Sequence, residues 1–274
     1  MTERSDWEGR VGRKWAEEWR RTDRSFAGLT ERLLARVGSG SPRQVLDVGC
    51  GAGELSLAFA RGHPDAEVVG VDVSELLVDV ARERASNLAN VVFEHGDAGA
   101  WSMEGFAPDL VISRHGVMFF ADPVVAFSHI RATSADASRF VFSCFRTLRE
   151  NVWAYDLAAL VPGDPASPGE PHAPGPFAFA DPDYVADILS DAGWSDIGFE
   201  PVDFAYVAGA GEDAVADAES YFLSIGPAAR AAAELAPEDR ERFIANLRGY
   251  LGERVHDNFV VLPAAAWIVS AANA

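Results

Sequence analysis

The chain has 274 residues, 49% hydrophobic and 24% charged, enough for one large α/β domain or a core domain carrying a lid. Its 42 acidic and 23 basic residues give a net charge of −19, which repels phosphate backbones and anionic lipid heads and so argues against nucleic acid or a membrane surface as partner. Two cysteines, Cys50 and Cys144, are too few and too far apart for a disulfide scaffold or a zinc site. No apolar run approaches the roughly 20 residues that cross a bilayer.

The first segment, MTERSDWEGRVGRKWAEEWRR, is densely charged and lacks the apolar stretch of a signal peptide, so a reducing, cytoplasmic setting with two buried thiols is expected. Residues 1–40 read as a helical cap in which Trp15 and Trp19 share one face. That helix either packs on the domain or closes over a ligand.

From 41 to 145, short apolar runs alternate with amphipathic stretches. Strands are expected at Gln44–Val48, Glu67–Val71, Val91–Glu94, Leu110–Ser113 and Ser138–Cys144, and helices near Glu54–Arg61, Ser74–Asn87 and Pro123–Ser134. Near-continuous apolar strands such as VVGV and DLVIS belong in a parallel sheet covered on both faces, and this alternation gives right-handed βαβ units.

Residues 146–181 hold a Pro- and Gly-rich loop, read as part of a lid. Asp181 then caps a helix with Pro182 at its first position and Gly193 as its stop. Residues 182–274 complete the sheet with strands near Asp196–Val207 and Asn258–Val269, flanking a helical insertion at about 208–256. The fold class expected is α/β: a Rossmann-like, doubly wound, seven-stranded sheet, mostly parallel with the last strand antiparallel, and helical lid insertions.

The chemistry concentrates where the first strand meets its helix, in Val45-Leu46-Asp47-Val48-Gly49-Cys50-Gly51-Ala52-Gly53. Glycines there let backbone pass close to a ligand and adopt positive φ. A dinucleotide fingerprint needs a third glycine where Glu54 stands, and a carboxylate at that point repels a pyrophosphate. The spacing G-x-G-x-G after Asp47 suits a cationic cofactor without phosphate. Asp72 ends the second strand, where a carboxylate accepts from ribose hydroxyls, and Asp97 follows the third, within reach of an adenine amino group.

VLDVGCGAG resembles motif I of class I S-adenosylmethionine-dependent methyltransferases, VVGVDVSELLVDVARERA their acidic-loop motif and FEHGDA their adenine-contacting motif. SRHGVMFFADPVVAF, FSCFRTLRENVW, PGPFAFADPDYV and LPAAAWIVSA resemble the UbiE-like small-molecule branch, so the likeness runs from about Trp7 onwards. It implies S-adenosyl-L-methionine as cofactor, held by Asp47, Gly49, Cys50, Gly51 and Gly53 at the methionine end, Asp72 and Val73 at the ribose, Asp97 and Ala98 at the adenine. Ser113 is expected near the sulfonium, and Trp15 or Arg20 near the methionine carboxylate if the first helix closes. The chain departs from the pattern at Ala132–Arg139, where relatives carry a Pro-Gly-Gly turn.

For the acceptor, His115 is the candidate base, with packing as its alternative, and Arg114 either binds a carboxylate or pairs with an acid. Phe119, Tyr155, His172 and Phe177 are the other candidate substrate contacts. The histidine spacings hold no metal-binding pattern, so none is expected. The function expected is methyl transfer to a small organic molecule at O, N or C, with a homodimer left open. The alternatives are a non-catalytic S-adenosylmethionine-binding module and an NAD-dependent oxidoreductase.

Overall fold

A computed structural model of the chain describes residues 4–38, 40–163 and 170–274. Three helices come first, α1 (Arg4–Glu8), α2 (Arg10–Glu17) and α3 (Trp19–Val37). Helix α3 buries Phe26, Leu29, Leu33 and Val37 at three- and four-residue spacing, a stripe worth roughly 2 kcal/mol per side chain.

The core then alternates β1 (Gln44–Val48), α4 (Glu54–Gly62), β2 (Glu67–Asp72), α5 (Glu75–Arg84), β3 (Val91–His95), β4 (Leu110–Arg114), α6 (Pro123–Thr133) and β5 (Arg139–Phe145). α7 (Val152–Ala159) and α8 (Pro182–Asp191) follow, then β6 (Ser195–Ala210), α9 (Ala214–Ser224), α10 (Gly226–Glu234), α11 (Pro237–Gly252), β7 (Val255–His256) and β8 (Phe259–Ala272). The sheet order is β3-β2-β1-β4-β5-β8-β6, with short β7 added beside β8. β1 to β5 pair in parallel and β8 runs antiparallel to both β5 and β6, which is the Rossmann-like arrangement with an antiparallel last strand.

The five expected core strands occur within a residue or two, because apolar runs that must be covered on both faces have no other stable place. Several expectations need correction. The helix expected to reach Asn87 stops at Arg84, and α7 falls inside what read as loop. The helical insertion consists of three helices, broken where Pro227 and Pro237 each begin a new helix, since proline removes an amide donor and crowds the preceding turn. Of the Pro-rich loop, residues 164–169 lie outside the described residues. Asp181 caps α8 by accepting from the Asp183 amide, and Gly193 beyond its end has φ +86°.

At the departure noted before the fifth strand, Ala137 adopts φ +60°, a left-handed conformation that favours glycine. The turn is closed by the Ser138 amide donating to the Ala135 carbonyl. No described helix is long and apolar enough to cross a membrane.

Candidate active site

The carboxyl ends of β1, β2, β3 and β4 open on one cavity of about 310 Å³, large enough for a small ligand. At its floor the turn after β1 places Gly49 at φ +67° and Gly51 at φ +54°. A Cβ at Gly49 would lie 2.7 Å from Gly116 Cα, so backbone crosses backbone there. A Cβ at Gly51 would meet nothing within 4 Å, which leaves that turn open toward the cavity.

Asp72 ties the turn to the sheet. Its carboxylate accepts from the Gly51 amide at 2.9 Å and the Ser74 amide at 2.8 Å, while burial raises its pKa. Asp47 is 1% exposed, and one of its oxygens accepts from the Ser56 hydroxyl. Its Oδ1 has no partner among the described residues, and burial pushes its pKa up to about 7. Asp97 accepts from the Gly99 amide at 2.9 Å.

Arg114, at the end of β4, is engaged by protein groups on several sides. It pairs with Glu54, donates to the Thr30 hydroxyl at 2.9 Å and lies over the Phe26 ring. Of the two readings of Arg114, the structure has it paired with an acid. The acid is the residue whose charge argued against a pyrophosphate.

His115 has φ +65°, a strained value for a residue with a Cβ, of the kind found at functional sites. Its ring stacks on Phe145 at 4.0 Å and meets Phe26 at 5.3 Å. Neither ring nitrogen has a hydrogen-bond partner among the described residues. Burial, then the neighbouring Arg114 charge, pull its pKa down to about 3. The ring is therefore neutral at pH 7 and a poor proton acceptor, which counts against its expected role as a general base.

Of the expected cofactor residues, Trp15, Asp47, Gly49, Cys50, Gly51, Asp72, Val73, Asp97 and Ala98 line the cavity. Three do not. Arg20 is exposed and lies over the Trp19 ring at 4.3 Å. Gly53 caps α4, where a Cβ would strike the Phe93 ring. Ser113 is fully buried and donates to the Val48 carbonyl at 2.7 Å, bracing β1 against β4.

Of the expected acceptor residues, Arg114, His115 and Phe119 line the cavity. Tyr155 is 42% exposed because α7 turns Trp153, Ala154 and Leu157 inward instead. His172 is exposed, stacked on Tyr184 at 3.7 Å with Nδ1 against the Ala178 carbonyl. Phe177 packs behind the wall, on Phe145 and Trp153.

The sequence reading missed most of the cavity's cover. Trp7 meets Trp15 and Phe119 at 5.6 and 5.0 Å, and Asp23 of α3 pairs with Arg84 of α5 at 2.6 Å. Phe222, Ile225 and Pro227 come from the insertion, and Pro176 comes from the Pro-rich segment beyond α7. Trp7 stood in view as one of three N-terminal tryptophans; the others carry no local signal. Both cysteines are buried free thiols, and no described group of three or more His, Cys, Asp or Glu could hold a metal.

Residues 40–162 match the family described as a methyltransferase domain. A trans-aconitate 2-methyltransferase of Methylobacterium radiotolerans is 40% identical over 90 residues, 33% of this chain and 33% of that protein. A demethylmenaquinone methyltransferase of Staphylococcus aureus is 31% identical over 101 residues, 36% of this chain and 42% of that protein. The chain thus matches well under half the length of these relatives. In three dimensions it superposes on phosphoethanolamine N-methyltransferase 2 of Haemonchus contortus, solved with S-adenosyl-L-methionine, at a TM-score of 0.54 and 16% identity, over 94% of this chain and 56% of that one. Residues 40–162 thus match the methyltransferase-domain family, and the chain shares its fold with that solved structure.

Proposed function

We propose that the protein transfers a methyl group from S-adenosylmethionine to a small organic acceptor at oxygen, nitrogen or carbon. The observation that carries this reading is one cavity that joins an acid-and-glycine cradle at the sheet edge to an aromatic wall on β4, β5, β6 and α7. The residues fit the donor. A cationic ligand suits a lining with the carboxylates Asp47, Asp72 and Asp97, and the open Gly51 turn leaves room for it.

In this reading Asp72 takes the ribose hydroxyls, Asp97 and Ala98 the adenine, and Asp47 with the Gly49–Gly51 backbone the methionine end. Bound there, the donor would supply an electrophilic methyl group on a sulfonium. The chain's own part is to exclude water, through Trp7, Trp15 and the α9–α10 cover, and to hold the acceptor in line. With its ring neutral, His115 orients rather than deprotonates. The relatives named for trans-aconitate and demethylmenaquinone support a small-molecule acceptor. We further place the protein in the cytoplasm, which its two free buried thiols suit, and light scattering would show whether it pairs as a homodimer.

The test is production of S-adenosylhomocysteine from S-adenosylmethionine across a panel of phenols, amines, carboxylates and activated carbon acids. Acceptor-dependent product supports the reading. Donor binding with no turnover on any acceptor would favour a binding module.

A further inference from the structure

Helices α1 to α3 cover the cavity with Trp7, Trp15 and Trp19, and α5 holds this cover at both of its ends. Just before α5 begins, Gly12 of α2 packs so closely that a Cβ there would lie 2.4 Å from the Ser74 hydroxyl, and the Ser74 amide donates to Asp72. At its last residue, Arg84, one guanidinium makes three contacts. Nη1 donates to the Ala52 carbonyl at 2.6 Å, Nη2 donates to Asp23 at 2.6 Å, and the group lies over the Trp19 ring at 3.9 Å. Ala52, Asp23 and Trp19 all line the cavity, and Arg84 stands behind them, outside the lining. Ala52 belongs to the glycine-rich turn, whereas Trp19 and Asp23 lie in the first turns of α3.

These contacts ask for an arginine. A guanidinium carries its N–H donors in a fixed plane, so it can hold a carbonyl and a carboxylate at once while stacking on an indole; the point charge of an ammonium cannot. Both partners of the ion pair have side chains only 18% exposed, so little of their charge is spent on water. Burial raises the Asp23 carboxyl, and the Arg84 charge, then that of Arg114, works against it. Without Arg84 a partly buried carboxylate would face the cavity with Arg114 alone to balance it, and Trp19 would keep only the exposed Arg20 over its ring.

We infer that Arg84 is a positioning residue for the donor: through it the N-terminal cover and the glycine-rich turn hold each other in place, so that an occupied cofactor site fastens the cover and a fastened cover retains the cofactor. The coupling is reciprocal, because each side contributes a contact to the same guanidinium. This rests on the methyltransferase reading and deepens it.

The test uses the full-length protein with S-adenosylhomocysteine as probe, and reads affinity by calorimetry and amide exchange with and without saturating probe. In the wild type the probe is expected to slow exchange across residues 4–23. Arg84→Met keeps a long side chain and removes every donor; it should weaken S-adenosylhomocysteine about tenfold and abolish that slowing in the saturated protein. Arg84→Lys, which retains a charge beside Asp23, should recover part of the affinity. Exchange in β1 to β5 is the reference and should be the same in wild type and Arg84→Met, whereas a merely structural role would speed it there too. Unaltered affinity in a folded Arg84→Met protein, slowing that persists undiminished in it, or faster exchange throughout β1 to β5 would overturn the inference. The wild-type measurement needs no variant, so it stands if the substitution unfolds the chain: a bound probe that leaves exchange in residues 4–23 unchanged would overturn the inference and leave the methyltransferase reading intact. Failure of the wild type to bind S-adenosylhomocysteine would overturn that reading and this inference with it.

Discussion

Replacing Asp47 by Asn should change how stability depends on pH. Asp47 sits at 1% exposure, with one oxygen accepting from Ser56 and Oδ1 without a partner among the described residues, and its pKa rises from 3.8 to about 7. Burial is the main cause, with the Asp72 charge adding to it, while Ser56 and Arg114 pull the other way. A carboxyl raised on folding holds its proton more tightly in the folded chain than in the unfolded one. Its contribution to stability is therefore full below pH 3.8, is lost as pH climbs toward about 7, and stays lost above.

At about 1.4 kcal/mol per unit, the loss is on the order of 4 kcal/mol, or about 8 °C in melting temperature for a chain of this size. Asp47→Asn keeps the volume and removes the titration. Asp23 and Asp72 are also raised, but they are present in both proteins, so their slopes largely cancel in the difference. Melting curves from pH 5 to pH 8.5, without ligand, should show the wild type losing stability against Asp47→Asn as pH rises. Parallel curves over that range would refute the argument that Asp47 is raised by burial.

The same carboxyl should link donor binding to pH: S-adenosylmethionine affinity should rise through about pH 7 in the wild type and stay level in Asp47→Asn, by calorimetry at several pH values. Asp72→Ala removes the acceptor of the Gly51 and Ser74 amides and, in the proposed reading, of the ribose, so S-adenosylhomocysteine affinity should fall at least a hundredfold in the same instrument. Gly12 packs α2 on α5, where a Cβ would overlap the Trp7 carbonyl and the Ser74 hydroxyl. Gly12→Val should therefore loosen the N-terminal cover, which faster amide exchange in residues 4–17 would report. Ala137→Gly relieves a left-handed alanine and should add about 1 kcal/mol of stability, read by urea denaturation.

The parts of this molecule written in local pattern could be read from sequence. VLDVGCGAG, Asp72 and Asp97 lie at ends of strands whose apolar runs fix their place, and each falls at the sheet edge where the cavity opens. The aromatic lining of the cavity could not be read, because Phe26, Phe145, Trp153 and Tyr206 come from segments up to 180 residues apart (26 to 206) and meet only through tertiary packing. Trp153 rather than Tyr155 turns inward because of helix α7's rotation, set by its contact with β8 and α10, which local sequence does not encode. For Arg114 the local pattern leaves two readings open, a ligand's carboxylate or a neighbouring acid. Its pairing with Glu54 depends on how close β4's end comes to the first turn of α4.

In the proposed reading the turn from Asp47 to Gly53, with Asp72 and Asp97, holds S-adenosylmethionine rather than a dinucleotide. Calorimetric titration of the purified chain with S-adenosylhomocysteine and, separately, with NAD tests it most directly. A one-to-one complex with S-adenosylhomocysteine at micromolar affinity, and no heat from NAD, is the expected result. Micromolar NAD binding with no response to S-adenosylhomocysteine would contradict it.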